Sequence, residues 1–239
     1  PVWQDWGGSR AARPVHTLLR GYRDLDPSHT TAIFSGDYMA GAHGAFAVMA
    51  ALRHRRRTGE GQLIEIPQAE TASSMLAPAF MEYALNGEVP RNVGNRSIYG
   101  FSPYNTYPCH SPGDGGDGGD RWISIAVTSD DEWTALRAIM GEPDWAMGSD
   151  LYHAAGRVGR RAEIDNAVTA WSSTQRSQEL ASRLQSRGIA AGAVLNNRQF
   201  LDDPHLGERG FFVEIDEPDV GVKRYPGQAI GLSADPSRE

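Results

Sequence analysis

From Asp37 to Arg57 the larger apolar residues Met39, Phe46 and Met49 join Ala42 at spacings of three and four, the repeat of one helical face. The filler is mostly alanine and glycine, so the spacing predicts a buried, closely packed helix. Arg53, Arg55, Arg56 and Arg57 fall in its last turns, where cations complement the partial negative charge of a helix end. That placement accounts for the basic run without a phosphate ligand. Gly59 and Gly61 supply the turn out of the helix, and Leu63, Ile64 and Ile66 then predict a short buried strand. Pro67 opens a second helix, PQAETASSMLAPAFMEYALNG, expected to kink at Pro78 and to end at Gly87.

The next stretch, GEVPRNVGNRSIYGFSPYN, is rich in Gly, Pro and Asn and reads as a long connection between domains. Beyond it Tyr104 to Cys109 and Arg121 to Val127 flank the loop SPGDGGDGGD. The alternation and β-branching of WISIAV predict that the two segments form a hairpin. Helical patterns follow through SDDEWTALRAIMG, RRAEIDNAVTAWSS and TQRSQELASRLQSRG. A strand in IAAGAVL leads to a short helix at Asn197 to Leu201, and FFVEIDEPDVGVKRYPG predicts strand pieces around a turn. No internal repeat is present.

Composition narrows the possibilities. The 239 residues are 40% hydrophobic and 22% charged, enough for one large domain or two small ones. Lys and Arg number 23 against 30 Asp and Glu, a net charge of -7 that argues against a general binder of nucleic acid or anionic membranes. No stretch reaches the roughly 18 uninterrupted apolar residues of a membrane helix, and the start carries no signal-peptide pattern. The lone cysteine, Cys109, excludes an internal disulfide and leads us to expect a reducing, cytoplasmic compartment. The chain begins with Pro1, and its opening PVWQDWGGSRAARP lacks a clear period, so we read it as a fragment or a processed product.

Several constellations invite chemistry and lose it on inspection. A phosphate loop follows a strand and opens a helix, whereas SPGDGGDGGD leads into a strand. Its Asp114, Asp117 and Asp120 recur every third residue, unlike the odd-numbered carboxylates of a calcium loop. The seven histidines, His16, His29, His43, His54, His110, His153 and His205, lack the short spacings of a metal site, and no metal is expected. Cys109 and His110 are strand neighbours and point to opposite faces, so the cysteine reads as structural. Asp37 stands apart. On propensity alone it is a helix N-cap; as a carboxylate at a helix start it is also a candidate nucleophile.

Four features in order resemble the family III CoA-transferases, the group of formyl-CoA transferase and carnitine CoA-transferase. They are GDYMAGAHGAFAVMAAL, the RRRTGEGQ turn with LIEIPQAE, the GNR of Gly94 to Arg96 followed by SPYNTYP, and WISIAVTSDDEWTALRAIMG. RGIAAGAVLN and the DDPHLGERGFF of Asp202 to Phe212 resemble its C-terminal region. The resemblance covers the chain from about Gly21 onward.

That resemblance implies an α/β fold: part of a Rossmann-like large domain plus a smaller α+β domain, in an interlocked dimer when complete. It maps to residues 1–90 as the remaining part of the large domain, 91–195 as the small domain, and 196–239 as a segment returning to the large one. It implies transfer of coenzyme A from an acyl-CoA to a small carboxylic acid, with Asp37 as the covalent nucleophile. Gly36, Tyr38, Asn95, Arg96 and Tyr104 are nominated for substrate binding. Coenzyme A enters as acyl-CoA substrate and no cofactor is held tightly. The family's N-terminal nucleotide-binding half is missing before Asp37, so a homodimer or a complex with a separate N-terminal half is expected. The competing readings are a 2-methylacyl-CoA racemase, whose histidine would lie upstream of the aspartate, and a non-catalytic subunit or fragment.

Overall fold

The computed structural model describes residues 35–89, 93–111, 121–231 and 233. The chain divides into two compact units, Pro1–Ile98 and Tyr99–Glu239. The loop 112–120, the opening segment, His16 and His29 lie outside the described residues.

In the first unit, helix α1 (Ser35–Thr58) carries Asp37 in its first turn and Arg55, Arg56 and Arg57 in its last. Its end is closed by Gly59, whose φ of 81° only glycine adopts without strain. The Gly59 N–H donates to the Arg55 carbonyl at 2.8 Å. The expected burial of this helix is not met: Phe46 is 77% and Met49 68% exposed. The partly covered side of the helix instead carries Gly36, Ala40, Gly44, Ala47 and Ala51, small residues that allow Ile66 to approach at Gly44, so the repeat of large apolar positions marks a different face.

Two further expectations are corrected. Residues 60–67 form no strand, and Leu63 is 92% exposed. A strand needs a neighbour to take its alternate N–H and C=O groups, and this segment has no ladder partner among the described residues. Pro78 separates two helices where a kink was expected: α2 (Gln68–Ser74), with Pro67 at its N-cap, and α3 (Ala77–Asn86), with Pro in its first turn. A proline ring clashes with the carbonyl four residues back. For Pro78 that carbonyl belongs to Ser74, the last residue of α2. Gly87 closes α3 in the left-handed region, as expected.

The second unit holds a three-stranded antiparallel sheet in the order β1-β2-β3, made of β1 (Tyr104–Pro108), β2 (Trp122–Ala126) and β3 (Ala190–Val194). The expected hairpin is β1 with β2, Thr106 lying opposite Ser124. Along β2, Ile123 and Ile125 are buried while Trp122 and Ser124 are exposed. This is the period-2 pattern of a sheet with one covered face.

That face is covered by helices. Trp133 and Leu136 of α4 (Asp130–Ile139), Ile164 and Val168 of α6 (Arg161–Ser172), and Leu180 and Leu184 of α7 (Ser177–Gln185) complete one core with Tyr107. Each fully buried large side chain contributes about 1.5–3 kcal/mol. Ser129 caps α4 in a reciprocal box with Glu132.

Between α4 and α6, two 3-10 turns (Asp144–Ala146 and Ser149–Tyr152) lead into the short helix α5 (Ala154–Gly159). Arg157 of α5 is 1% exposed. Its guanidinium donates to the carbonyls of Ser102, Leu151 and Tyr152, each at 3.1 Å. After β3 come α8 (Asn197–Leu201) and α9 (Pro204–Glu208), then the antiparallel pair β4 (Phe212–Glu217) and β5 (Gly221–Pro226). The architecture is mixed α/β, as expected. Both sheets among the described residues are antiparallel, so they contain no strand pair of the parallel Rossmann-like kind. No described helix is long and apolar enough to cross a membrane.

Candidate active site

Helix α1 is already helical at Ser35, so Asp37 sits inside the first turn and not at the cap position that propensity favours. The distinction matters chemically. A capping carboxylate turns back to bond the helix's own N–H groups, whereas Asp37 is exposed and bonds across to another helix. Gln68, the first residue of α2, donates from Nε2 to Asp37 Oδ1 at 2.8 Å. Only the NH₂ end of the glutamine amide can meet an ionised carboxylate, which has no hydrogen to give. Open space surrounds Gly36 and Gly41, where a Cβ would meet nothing within 4 Å.

The route by which Gln68 reaches Asp37 can be traced along α1. The extended stretch before α2 passes Gly44, where the Ile66 Cδ1 lies 3.6 Å from the position a Cβ would occupy. Gly44 and Asp37 are seven residues apart, two helical turns, and so share one face. Residues 66 to 68 therefore run back along α1 toward its N-terminus. Gly44 permits the approach and Gln68 ends beside the carboxylate.

Of the residues nominated from sequence, Gly36, Asp37 and Tyr38 come together on one turn, with Tyr38 73% exposed. Asn95 and Arg96 are exposed and share a second turn, shaped by Gly94 at φ 66°. Tyr104 belongs to the second unit, where it opens β1 and stacks on Phe101 with ring centroids 6.5 Å apart. Gln68 was not anticipated. It stands within the quoted LIEIPQAE, but no local periodicity marks a side chain that acts 31 residues away.

Other chemistry is sparse. Among the described residues no group of three or more His, Cys, Asp or Glu could hold a metal ion. Cys109 is buried and burial pushes its thiol up to about 11, which removes the thiolate a nucleophile requires. A cleft of about 250 Å³ in the second unit, lined by residues that include His110, Arg121 and Arg176, includes none of the nominated residues.

Comparison with known proteins bears on this arrangement. The model of the family described as CoA-transferase family III matches residues 11–239. The chain is 35% identical over 189 residues to a Mycobacterium tuberculosis protein named as a probable CoA-transferase, covering 79% of this chain and 22% of that one. It is 28% identical over 235 residues to a protein of Chloroflexus aurantiacus named succinyl-CoA–D-citramalate CoA-transferase, covering 98% and 54%. The crystal structure of a CaiB/BaiF family protein from Brucella suis is similar at a TM-score of 0.70 and 23% identity, covering 95% of this chain and 61% of that one. That last likeness concerns the fold alone. The chain spans about half the length, or less, of these curated relatives.

Proposed function

Because the chain belongs to CoA-transferase family III, we propose that it transfers coenzyme A from an acyl-CoA donor to a carboxylate acceptor, with Asp37 as the covalent nucleophile. The observation that carries this reading is the exposed Asp37 carboxylate in the first turn of α1, oriented by Gln68. It lies within the residues matched by the family.

The chemistry follows from a carboxylate meeting a thioester. One Asp37 oxygen attacks the acyl carbonyl, the C–S bond breaks, and a mixed anhydride and free CoA thiolate result. The thiolate then attacks the aspartyl carbon and releases the first acid, leaving an aspartyl-CoA thioester. An incoming carboxylate reverses the two steps and departs as the new acyl-CoA. Thioester energy is retained as long as water is kept from the anhydride.

On this reading Gly36 and Tyr38 stand next to the attacking carboxylate in the chain, and Asn95 and Arg96 contact acyl-CoA or acid. Residues 1–90 are the remaining part of the large domain and 91–195 the small domain. The chain works in the cytoplasm as part of a homodimer. The exposed α1 face, with Phe46 and Met49, favours a second reading in which this chain is a non-catalytic part of such an assembly.

The test is to incubate the chain with succinyl-CoA, the donor in the name of the Chloroflexus relative, and small carboxylic acids, then search for an Asp37 adduct by mass spectrometry. An adduct that is lost in Asp37→Ala supports the transferase. Absence of adduct and of CoA exchange supports the non-catalytic reading, and acid-independent exchange of solvent deuterium into the acyl α-carbon supports a racemase.

A further inference from the structure

We infer that Gln68 is a second catalytic residue of this site: its side-chain amide holds Oδ1 of Asp37 apart as the carbonyl oxygen and leaves Oδ2 to attack. The inference rests on the reading of Asp37 as nucleophile and adds a residue to it.

The two oxygens of a carboxylate are equivalent until something distinguishes them. Here Gln68 Nε2 donates to Oδ1 at 2.8 Å, so one lone pair of Oδ1 is engaged and Oδ2 is the freer nucleophile. Once Oδ2 carries the acyl group, Oδ1 is the carbonyl oxygen of the aspartyl half of the anhydride. When the thiolate sulfur attacks Cγ, the Cγ–S bond forms and the displaced electron pair moves onto Oδ1. The oxyanion therefore develops on the atom to which Gln68 already donates. Collapse of that intermediate restores the Cγ–Oδ1 double bond and breaks Cγ–Oδ2, so the first acid leaves with Oδ2 as one of its carboxylate oxygens. No proton or electron is needed from elsewhere.

The donor is in place before charge develops, which is the condition for a stabilising contact that strengthens in the transition state. Its position is fixed by the fold as well as by the bond. Gln68 is the first residue of α2, Pro67 sets the entry of the chain, and Ile66 is seated at Gly44. Rigid placement of this kind gives a hydrogen bond its catalytic effect.

The test compares the wild-type chain with Asp37→Ala, Gln68→Met and Gln68→Glu, using succinyl-CoA as probe. Removing one oxyanion donor typically costs about 10²–10³-fold in turnover. Gln68→Met is expected to lower the rate of aspartyl-CoA formation about 100-fold with little change in KM for the acyl-CoA. Gln68→Glu keeps the shape, but it donates only when protonated and repels Asp37 when ionised. Its rate is therefore expected to fall at least tenfold between pH 5 and pH 8, a profile that a purely structural glutamine would not produce.

Adduct formation in wild type that is unchanged in both Gln68 variants overturns this inference and leaves Asp37 as nucleophile. If wild type forms no adduct, the transferase reading fails, and the contact is judged by carbodiimide labelling of Asp37 mapped by peptide mass spectrometry. Several-fold faster labelling in Gln68→Met supports the contact, and equal labelling overturns it.

Discussion

Arg157, buried to 1% exposure, reaches Asp130 at the surface, with 2.8 Å between Nη2 and Oδ1. His153 approaches the other oxygen of the same carboxylate at 3.3 Å. The hydrogen bond from Arg157, and after it that from His153, hold the Asp130 carboxyl below its usual range. The sign of the pH effect follows. A carboxylate whose folded value is depressed stabilises the fold above its unfolded value of about 3.9, and that contribution is lost as pH falls through the lower folded value. Thermal melting between pH 7 and pH 2.5 should show wild type losing this advantage below about pH 4. Asp130→Asn should melt lower at neutral pH and change less with acid. Parallel melting curves for the two proteins across that range would remove the pair from the stability of this unit.

A second prediction concerns the turn that positions Arg157. A Cβ built at Gly156 would lie 1.8 Å from the Asp150 carbonyl oxygen, whereas at Gly159, three residues on in the same helix, it would meet nothing within 4 Å. The first obstacle is backbone and cannot rotate away. Gly156→Ala should therefore destabilise the second unit by about 3 kcal/mol, at the upper end of overpacking costs. Gly159→Ala should be neutral or stabilising by up to about 1 kcal/mol, because it restricts the unfolded chain. Urea denaturation of the pair checks both, and equal effects would contradict the close approach.

These two glycines also show where sequence reading stops. The elements of the second unit were legible because their signals are local: the alternation of WISIAV, the helical repeat of SDDEWTALRAIMG, and glycines such as Gly141 and Gly188 just beyond helix ends. Nothing local distinguishes Gly156 from Gly159, since the carbonyl that excludes a side chain belongs to another turn. The same holds at the candidate site. Asp37 was found through an ordered resemblance, but Gln68 acts across 31 residues and leaves no periodic trace. Leu63, Ile64 and Ile66 have strand propensity without a strand, because propensity does not supply a ladder partner. Pro78 announced an interruption, and whether it kinks or ends the helix was decided by the geometry at Ser74.

A third prediction tests the sequence reading of Cys109. The thiol is buried and pushed up to about 11 by its surroundings, so at pH 8 the thiolate is scarce and shielded. Iodoacetamide should leave the folded chain unmodified over hours and alkylate it within minutes in denaturant. Fast alkylation of the native chain would place the thiol at the surface and reopen Cys109 as a nucleophile.

The fourth prediction concerns the face of α1 that the apolar repeat led us to expect inside a core. Phe46 and Met49 are 77% and 68% exposed, three residues apart and so neighbours on one helical surface. Leu52, three residues beyond Met49, extends that surface at 44% exposure. A contiguous apolar surface left in water binds hydrophobic dyes and contributes nothing to the stability of the chain that bears it. The isolated chain should therefore enhance 8-anilinonaphthalene-1-sulfonate fluorescence. The double substitution Phe46→Ser with Met49→Ser should reduce that signal at least threefold while shifting stability by no more than about 0.5 kcal/mol, the range of exposed positions. The contrast lies in the second measurement. If these side chains were in a core, the same double substitution would cost several kcal/mol, and a chain that bound no dye and unfolded on substitution would restore the buried helix that the sequence pattern predicts.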